Sequence, residues 1–348
     1  MTADALLLAP LKGSGGGIER YMQSVEWAFA AEGVDCRRID LEGSGPAAHA
    51  GLLARSRQHL GTRSCARIVV AHRALLPVAS LAAHRHAGLG ISLICHGMEI
   101  WGSRFGARNA LESHLMRKPS VRVVAVSSFT AGALGRESVA TILPPGLSRE
   151  WFDVLVDASA NVVRGDSRVR LVTTFRLKDW RAKGLPELLQ AVASLRMADV
   201  RVTICGSGEP PAQLLGLIST YPFCGLRSGI SDRELAGELA AADLFVLGTR
   251  TRLGAGAYGE GFGLVLLEAQ VAGTPVVAPA YGGSHDAFIN AVTGVAPTDE
   301  SARSLAATLE PLLRDPSRLA QMGKSAADWA RDCFAPERYA SLAVTRLL

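Results

Sequence analysis

Short runs of apolar residues alternate along almost the whole chain with stretches whose apolar positions recur at helical spacing. That rhythm predicts βα units, and hence parallel sheets covered by helices. In the first half, Ala5–Pro10 reads as a strand, Ile18–Glu32 as a helix and Val34–Ile39 as a second strand. Arg67–Ala71, Ile91–Cys95 and Arg122–Ser127 follow as buried strands. The Pro/Gly-rich stretch Leu143–Leu147 interrupts the pattern, and Asp153–Asp166 reads as a linker. The rhythm then restarts, with strands at Arg170–Thr174, Arg201–Gly206, Leu244–Gly248 and Pro275–Ala278. Helices are expected at Leu185–Leu195, Asp232–Ala241 and Phe262–Ala272, and a last one, Pro336–Leu348, after a break at Phe334–Pro336. Two consecutive βα arrays predict an α/β chain with two doubly wound sheets and a crevice between them. There is no internal repeat and no low-complexity segment.

Composition narrows the class. The 348 residues suffice for two domains, and 48% apolar with 20% charged residues excludes a disordered or collagen-like chain. No apolar run approaches the about 18 residues of a membrane span, and no targeting segment opens the sequence, so the expectation is a soluble, cytoplasmic protein. Cys36, Cys65, Cys95, Cys205, Cys224 and Cys333 form no CxxC or close pair, which predicts a reducing compartment and no metal site. The net charge of +5 is uneven: residues 1–150 hold 17 Lys+Arg against 11 Asp+Glu, and the rest hold 20 against 21. Arg104, Arg108, Arg117, Lys118 and Arg122 lie close together and suit an anionic membrane surface or an acidic or lipid-diphosphate acceptor, as well as plain solvation. No aromatic-interleaved basic stripe points to nucleic acid.

Four places can carry chemistry. Gly13-Ser14-Gly15-Gly16-Gly17 joins the first strand to the first helix, where backbone amides and the helix dipole favour an anion. As a dinucleotide fingerprint it is incomplete, because Ile18 stands where Gly or Ala is required, although Asp40 or Glu42 lies at the distance of a ribose-binding acid. His96-Gly97-Met98-Glu99 directly follows a strand, at the end that faces the crevice. Arg176, Lys178, Arg181 and Lys183 lie between a strand and a helix and suit a phosphate or diphosphate. Glu260 and Glu268, eight residues apart, follow the Gly-rich loop Gly248–Gly259. At about 100° per residue they share a face only if the first helical turn bends, which Gly261 and Gly263 permit while leaving amides at 263–265 for an anion.

These patterns occur in one order: Gly16-Gly17-Ile18-Glu19-Arg20, His96-Gly97, Pro145-Gly146-Leu147 with Phe152, Arg176 with Lys183-Gly184, Gly206-Ser207-Gly208, Glu260 with Glu268, and Gly282-Gly283. Together they resemble retaining nucleotide-sugar glycosyltransferases of family 4 (glycosyl transferases group 1). The resemblance implies the GT-B fold, two doubly wound Rossmann-like domains facing across a cleft. It implies an acceptor domain over 1–155, a donor domain over 165–325, and a C-terminal segment, 326–348, that crosses back to the first domain. Gly16 and Gly17 would bring amides to the donor diphosphate, and His96 would contact the donor sugar. Arg176 and Lys183 would neutralise the diphosphate, Glu260 would hold a sugar hydroxyl and Glu268 the ribose. Gly206, Gly208, Gly261, Phe262, Gly263 and Leu264 complete the donor set. Glu99, Ser127, Arg250, Arg252, Gly283 and Asp286 are candidates for the acceptor or sugar pocket.

The family transfers sugar from a nucleoside-diphosphate donor, with UDP- or GDP-sugar expected here, to a glycan, glycolipid or small-molecule acceptor. It needs no cofactor and no metal, and it retains anomeric configuration by front-face attack in which the departing phosphate helps take the acceptor proton. Cytoplasmic location, with peripheral contact at the inner membrane face, follows from the same resemblance and the basic first half. This sequence departs from the pattern with Asp286 in place of Glu, Phe175 in place of Gly, Ser148 in place of an acid, and a long loop Thr249–Tyr258. The alternatives are a nucleotide-sugar epimerase on the same scaffold, a nicotinamide dehydrogenase, and a non-catalytic sugar-nucleotide binding protein.

Overall fold

The computed structural model describes residues 4–10, 16–63, 65–102, 106–135, 138, 140–162 and 168–348. The chain divides into two compact units: residues 1–148 with 253–257 and 336–348, and residues 149–252 with 258–335.

The first unit is built on a six-stranded sheet, with β1 (Asp4–Pro10), β2 (Asp35–Leu41), β3 (Arg67–Val70), β4 (Gly90–Cys95), β5 (Val121–Ala125) and β6 (Ala140–Ile142). The strands run in parallel in the order β2-β1-β3-β4-β5-β6. Leu6, Leu7 and Leu8 of β1 are all fully buried, as expected of a parallel strand covered on both faces. Pro336–Leu347 forms a helix of this unit. Its Tyr339 ring lies over Gly146, where a Cβ would come within 2.2 Å of the ring, and the Leu347 carbonyl accepts from Ser92 Oγ at 2.7 Å. Close approach of a ring to the backbone is thus what position 146 requires.

The second unit holds β7 (Val169–Arg176), β8 (Val200–Ser207), β9 (Cys224–Ser228), β10 (Leu244–Val246), β11 (Val276–Val277) and β12 (Gly294–Val295). Their order is β12-β11-β10-β7-β8-β9, again parallel. A core of Leu171, Leu189, Val202, Ile204, Leu244, Val246 and Leu309 fills the space between this sheet and its helices. The direction of winding reverses between β10 and β7, and ligands of open α/β sheets bind beyond the strand C-termini at such a reversal.

The linker expected at 153–166 is corrected. Arg149–Ala160 is a helix, and it buries Trp151 and Leu155, one turn apart, against the second unit. The two units therefore meet in the sequence at Ser148 and Arg149. Likewise, residues 326–335 end the helix Pro316–Cys333 of the second unit, and only 336–348 cluster with the first.

Candidate active site

β7 and β10 end side by side at the reversal, and the loops after them carry the cationic and acidic residues. Arg176 closes β7; its Nε lies 2.9 Å from Asp179 Oδ2 and about half of its side chain is exposed. Leu177 and Trp180 are buried, which pins the turn, and Lys183 N–H donates to the Asp179 carbonyl at 3.0 Å. Gly184 follows at φ +69, with the Gly248 carbonyl oxygen only 1.9 Å from where a Cβ would stand. Only glycine lets these two backbones approach so closely. The approach brings Lys183 over the end of β10.

Lys183 Nζ then lies 2.7 Å from Glu260 Oε2, and Thr249 Oγ1 donates to the same oxygen at 3.0 Å. The Glu260 main-chain carbonyl accepts from Gly283 N–H at 2.8 Å, and Gly282 turns through φ +110 beside it. Among the described residues, no donor reaches Glu260 Oε1. One carboxylate oxygen is thus held from two sides while the other remains able to accept from a ligand hydroxyl.

Glu260 stands ahead of the helix Leu264–Val271, not on it. Gly263, at φ +84, makes the left-handed turn that opens the helix. The first amides, at Leu264 and Val265, have no intrahelical acceptor, and the dipole there favours an anion. Phe262 is buried and packs on Phe334, with ring centroids 6.1 Å apart. Glu268 is buried in the same helix, and its Oε1 accepts from Trp151 Nε1 at 3.0 Å. Trp151 escaped the sequence reading because it fell beside the supposed linker; its spacing from Leu155 was the signal available. Gly206 lies where a Cβ would come within 2.3 Å of Leu177, so it lets the β7 turn rest on β8, whereas Gly208, at φ +88, faces open space.

The remaining candidates of this unit surround that cluster. Arg250 directs its guanidinium to Glu187 at 3.3 Å and Glu300 at 3.9 Å. Arg252 pairs through its backbone with Tyr258, closing the neck of the long loop, with its side chain exposed. Gly283 is buried, and Asp286 is half-buried in the turn Gly283–Ala287.

In the first unit, Gly16 adopts φ +100 and Gly17 opens the helix Gly17–Ala31, which has no side-chain cap. Gly13, Ser14 and Gly15 of the glycine cluster lie outside the described residues, as does Arg104. Asp40 is bound by Arg38, Nε to Oδ1 at 2.6 Å, and Glu42 by Arg55 at 3.3 Å, so both acids of the dinucleotide alternative are engaged with arginines.

His96 follows β4, and its Nε2 lies 2.7 Å from the Ala71 carbonyl, beyond β3. A carbonyl only accepts, so Nε2 carries the proton and Nδ1 is the acceptor in the neutral ring. Burial holds the imidazole below its ordinary pKa, against the opposing pull of Glu99 and the Ala71 carbonyl. Tyr21 meets the ring edge-on at 5.6 Å. Glu99 is buried and accepts from the His96 backbone N–H. Gly97, at φ +137, lets the Trp101 ring approach to 2.5 Å of a would-be Cβ. Ser127 is buried and caps the helix Ser128–Leu134 through Thr130 N–H at 3.2 Å.

Residues 171–329 match the family of glycosyl transferases group 1. Apart from 253–257, the matched residues lie in the second unit. A GDP-mannose-dependent alpha-(1-6)-phosphatidylinositol monomannoside mannosyltransferase of Mycolicibacterium smegmatis is 33% identical over 254 residues, 68% of this chain and 64% of the relative. This chain thus spans less than two thirds of that relative's length. Among solved structures, sucrose-phosphate synthase of Thermosynechococcus elongatus superposes with a TM-score of 0.79 at 18% identity, covering 99% of this chain and 98% of that one. Anabaena HepE, solved in complex with UDP, superposes with a TM-score of 0.75 at 17% identity over 99% of each chain. The fold of this chain is GT-B.

Proposed function

We propose that the chain is a retaining, metal-independent glycosyltransferase. It takes a nucleoside-diphosphate sugar, a GDP-sugar before a UDP-sugar, and transfers the sugar to a hydroxyl of a glycan, lipid-linked or small-molecule acceptor. The Glu260 carboxylate carries this reading: one oxygen is fixed by Lys183 and Thr249, the other meets no donor among the described residues, and a cation and helix amides stand beside it. The GDP-mannose dependence named for the mycobacterial relative supports the guanine donor.

The chemistry fits these groups. As the bond from the anomeric carbon to phosphate breaks, negative charge grows on the departing diphosphate and positive character grows on the ring. Lys183, Arg176 and the amides of Leu264 and Val265 are fixed donors for the first charge. Glu260 orients a sugar hydroxyl and Glu268 the ribose. The acceptor oxygen bonds to the anomeric carbon, and its proton passes to the leaving phosphate. Contact with an anionic membrane face would use Leu111, Arg117 and Lys118, which are exposed along and just after the helix Ala107–Met116. The reading places the enzyme in the cytoplasm, at the inner side of that membrane.

The test is release of nucleoside diphosphate from a panel of GDP- and UDP-sugars, with and without hydroxyl acceptors, in the wild type, Glu260→Ala and Lys183→Ala. Acceptor-dependent turnover that survives EDTA, retains anomeric configuration by NMR and collapses in both variants is the expected result. Equal turnover in all three proteins would exclude the assignment, and turnover of donor alone into an epimer would replace it with the epimerase.

A further inference from the structure

We infer that Thr249-Arg250-Thr251, locked from outside by Glu300, is a positioning clamp that sets the spacing of Lys183, Glu260 and the Gly282-Gly283 turn. The inference rests on the donor-site reading above and concerns residues outside that reading's reacting groups. Each residue of the tripeptide holds a different loop. Thr249 Oγ1 donates to Glu260 Oε2 at 3.0 Å. Arg250 N–H donates to the Ala182 carbonyl at 3.0 Å, one residue before Lys183. Thr251 Oγ1 donates to the Tyr281 carbonyl at 3.1 Å, one residue before Gly282. Gly283 N–H closes the circuit on the Glu260 carbonyl at 2.8 Å.

The clamp is fixed by carboxylates on its far side. Glu300 accepts from Thr251 N–H and stands 3.9 Å from the Arg250 guanidinium, which also reaches Glu187 at 3.3 Å. Glu300 is itself held on a rigid support. The adjacent Ser301 caps the helix Ala302–Leu313 through Ser304 N–H at 3.1 Å, and Ser304 Oγ accepts from Asp299 N–H at 3.1 Å. Beyond Thr251, the Arg252–Tyr258 backbone pair, at 2.8 and 3.0 Å, closes the neck of the long loop. Motion of the loop tip is thereby separated from Glu260. Arg250 and Glu300 act through Thr249 and Thr251, so they are positioning residues.

The experiment compares Glu300→Ala, Glu300→Gln and Thr251→Val with wild type, because Gln keeps an acceptor for Thr251 N–H and Val keeps the branched shape of Thr. Misplacing a fixed charge by about an ångström costs up to about a hundredfold, so kcat for nucleoside diphosphate release should fall about ten- to a hundredfold in Glu300→Ala with donor KM within about threefold. Glu300→Gln should recover most of that loss; an equal loss in Gln assigns the work to the Arg250 charge contact and supports the clamp. A kcat within twofold of wild type in both Glu300→Ala and Thr251→Val overturns it. If Glu300→Ala does not fold, Thr251→Val decides alone. Hydrogen exchange of the Thr251 and Gly283 amides reads the clamp without turnover. Protection lost in the variants of a chain that transfers no sugar keeps the clamp and removes the proposed reaction, whereas unchanged protection removes the clamp.

Discussion

Replacing Lys183 by Ala separates catalysis from stability at this site. The ammonium lies 2.7 Å from Glu260 Oε2, and both side chains are partly open to solvent, at 24% and 16%. In a medium of effective dielectric about 20, two such charges about 4 Å apart attract by about 4 kcal/mol before desolvation. With both groups reaching water and the carboxylate still bonded to Thr249, the net loss of stability should be nearer 1 kcal/mol. That corresponds to a fall in Tm of about 2–4 °C. The reaction loses more, because a fixed donor facing charge that develops only in the transition state is worth about 3–4 kcal/mol, or about a hundred- to a thousandfold in kcat. The assay is steady-state release of nucleoside diphosphate at saturating donor, beside a thermal melt of the same protein. A kcat within threefold of wild type, or an activity loss accounted for by unfolding, would refute the reasoning.

Four other outcomes follow from the geometry. Gly184→Ala should destabilise the protein by at least about 2 kcal/mol in urea unfolding, since the Cβ would lie 1.9 Å from the Gly248 oxygen and φ is +69. Gly146→Ala should weaken the first unit by about 1–3 kcal/mol, read as faster hydrogen exchange in the helix Pro336–Leu347, because the Cβ meets the Tyr339 ring at 2.2 Å. Arg73→Met should cost about 3–5 kcal/mol in urea unfolding, because Arg73 and Glu112 are both buried at 3.0 Å and the substitution takes a buried guanidinium away from a buried carboxylate. His96 is held below its unfolded value of about 6.5, so its contribution to stability is present in full above that pH and is lost as pH falls below it through the lowered folded value; His96→Gln should flatten this acid decline in a pH series of melts.

The doubly wound architecture was legible because parallel strands covered on both faces must be apolar throughout. Leu6-Leu7-Leu8 and Leu244-Phe245-Val246 announce themselves as short buried runs. The elements that escaped lack that signature. β9, Cys224–Ser228, has no fully buried residue and carries Arg227, which bonds Glu234 and Glu238, so it reads as a polar loop. β12, Gly294–Val295, has only two residues, too few to express any period. The helix Arg149–Ala160 was obscured by the Pro-Gly break before it and the Arg-Gly-Asp run after it, although Trp151 and Leu155 carry the spacing of a buried helical stripe.

The site was legible as residue types and hidden as a circuit. Lys183 and Glu260 each stand after a strand end, and that is readable; their bond spans 77 positions. What joins them is a backbone approach at Gly184 and Gly248, together with the side-chain ties of Thr249, Thr251 and Glu300. None of those ties has a period, and each depends on one hydroxyl or carboxylate reaching a loop far away in sequence. The long loop makes this sharper. Its first three residues are bound on every side, so any adaptation to substrate must begin beyond the Arg252–Tyr258 neck. Insertions in that loop past Arg252 should therefore be tolerated by Glu260, whereas the same insertion before Thr251 would separate Glu260 from the Gly282 turn.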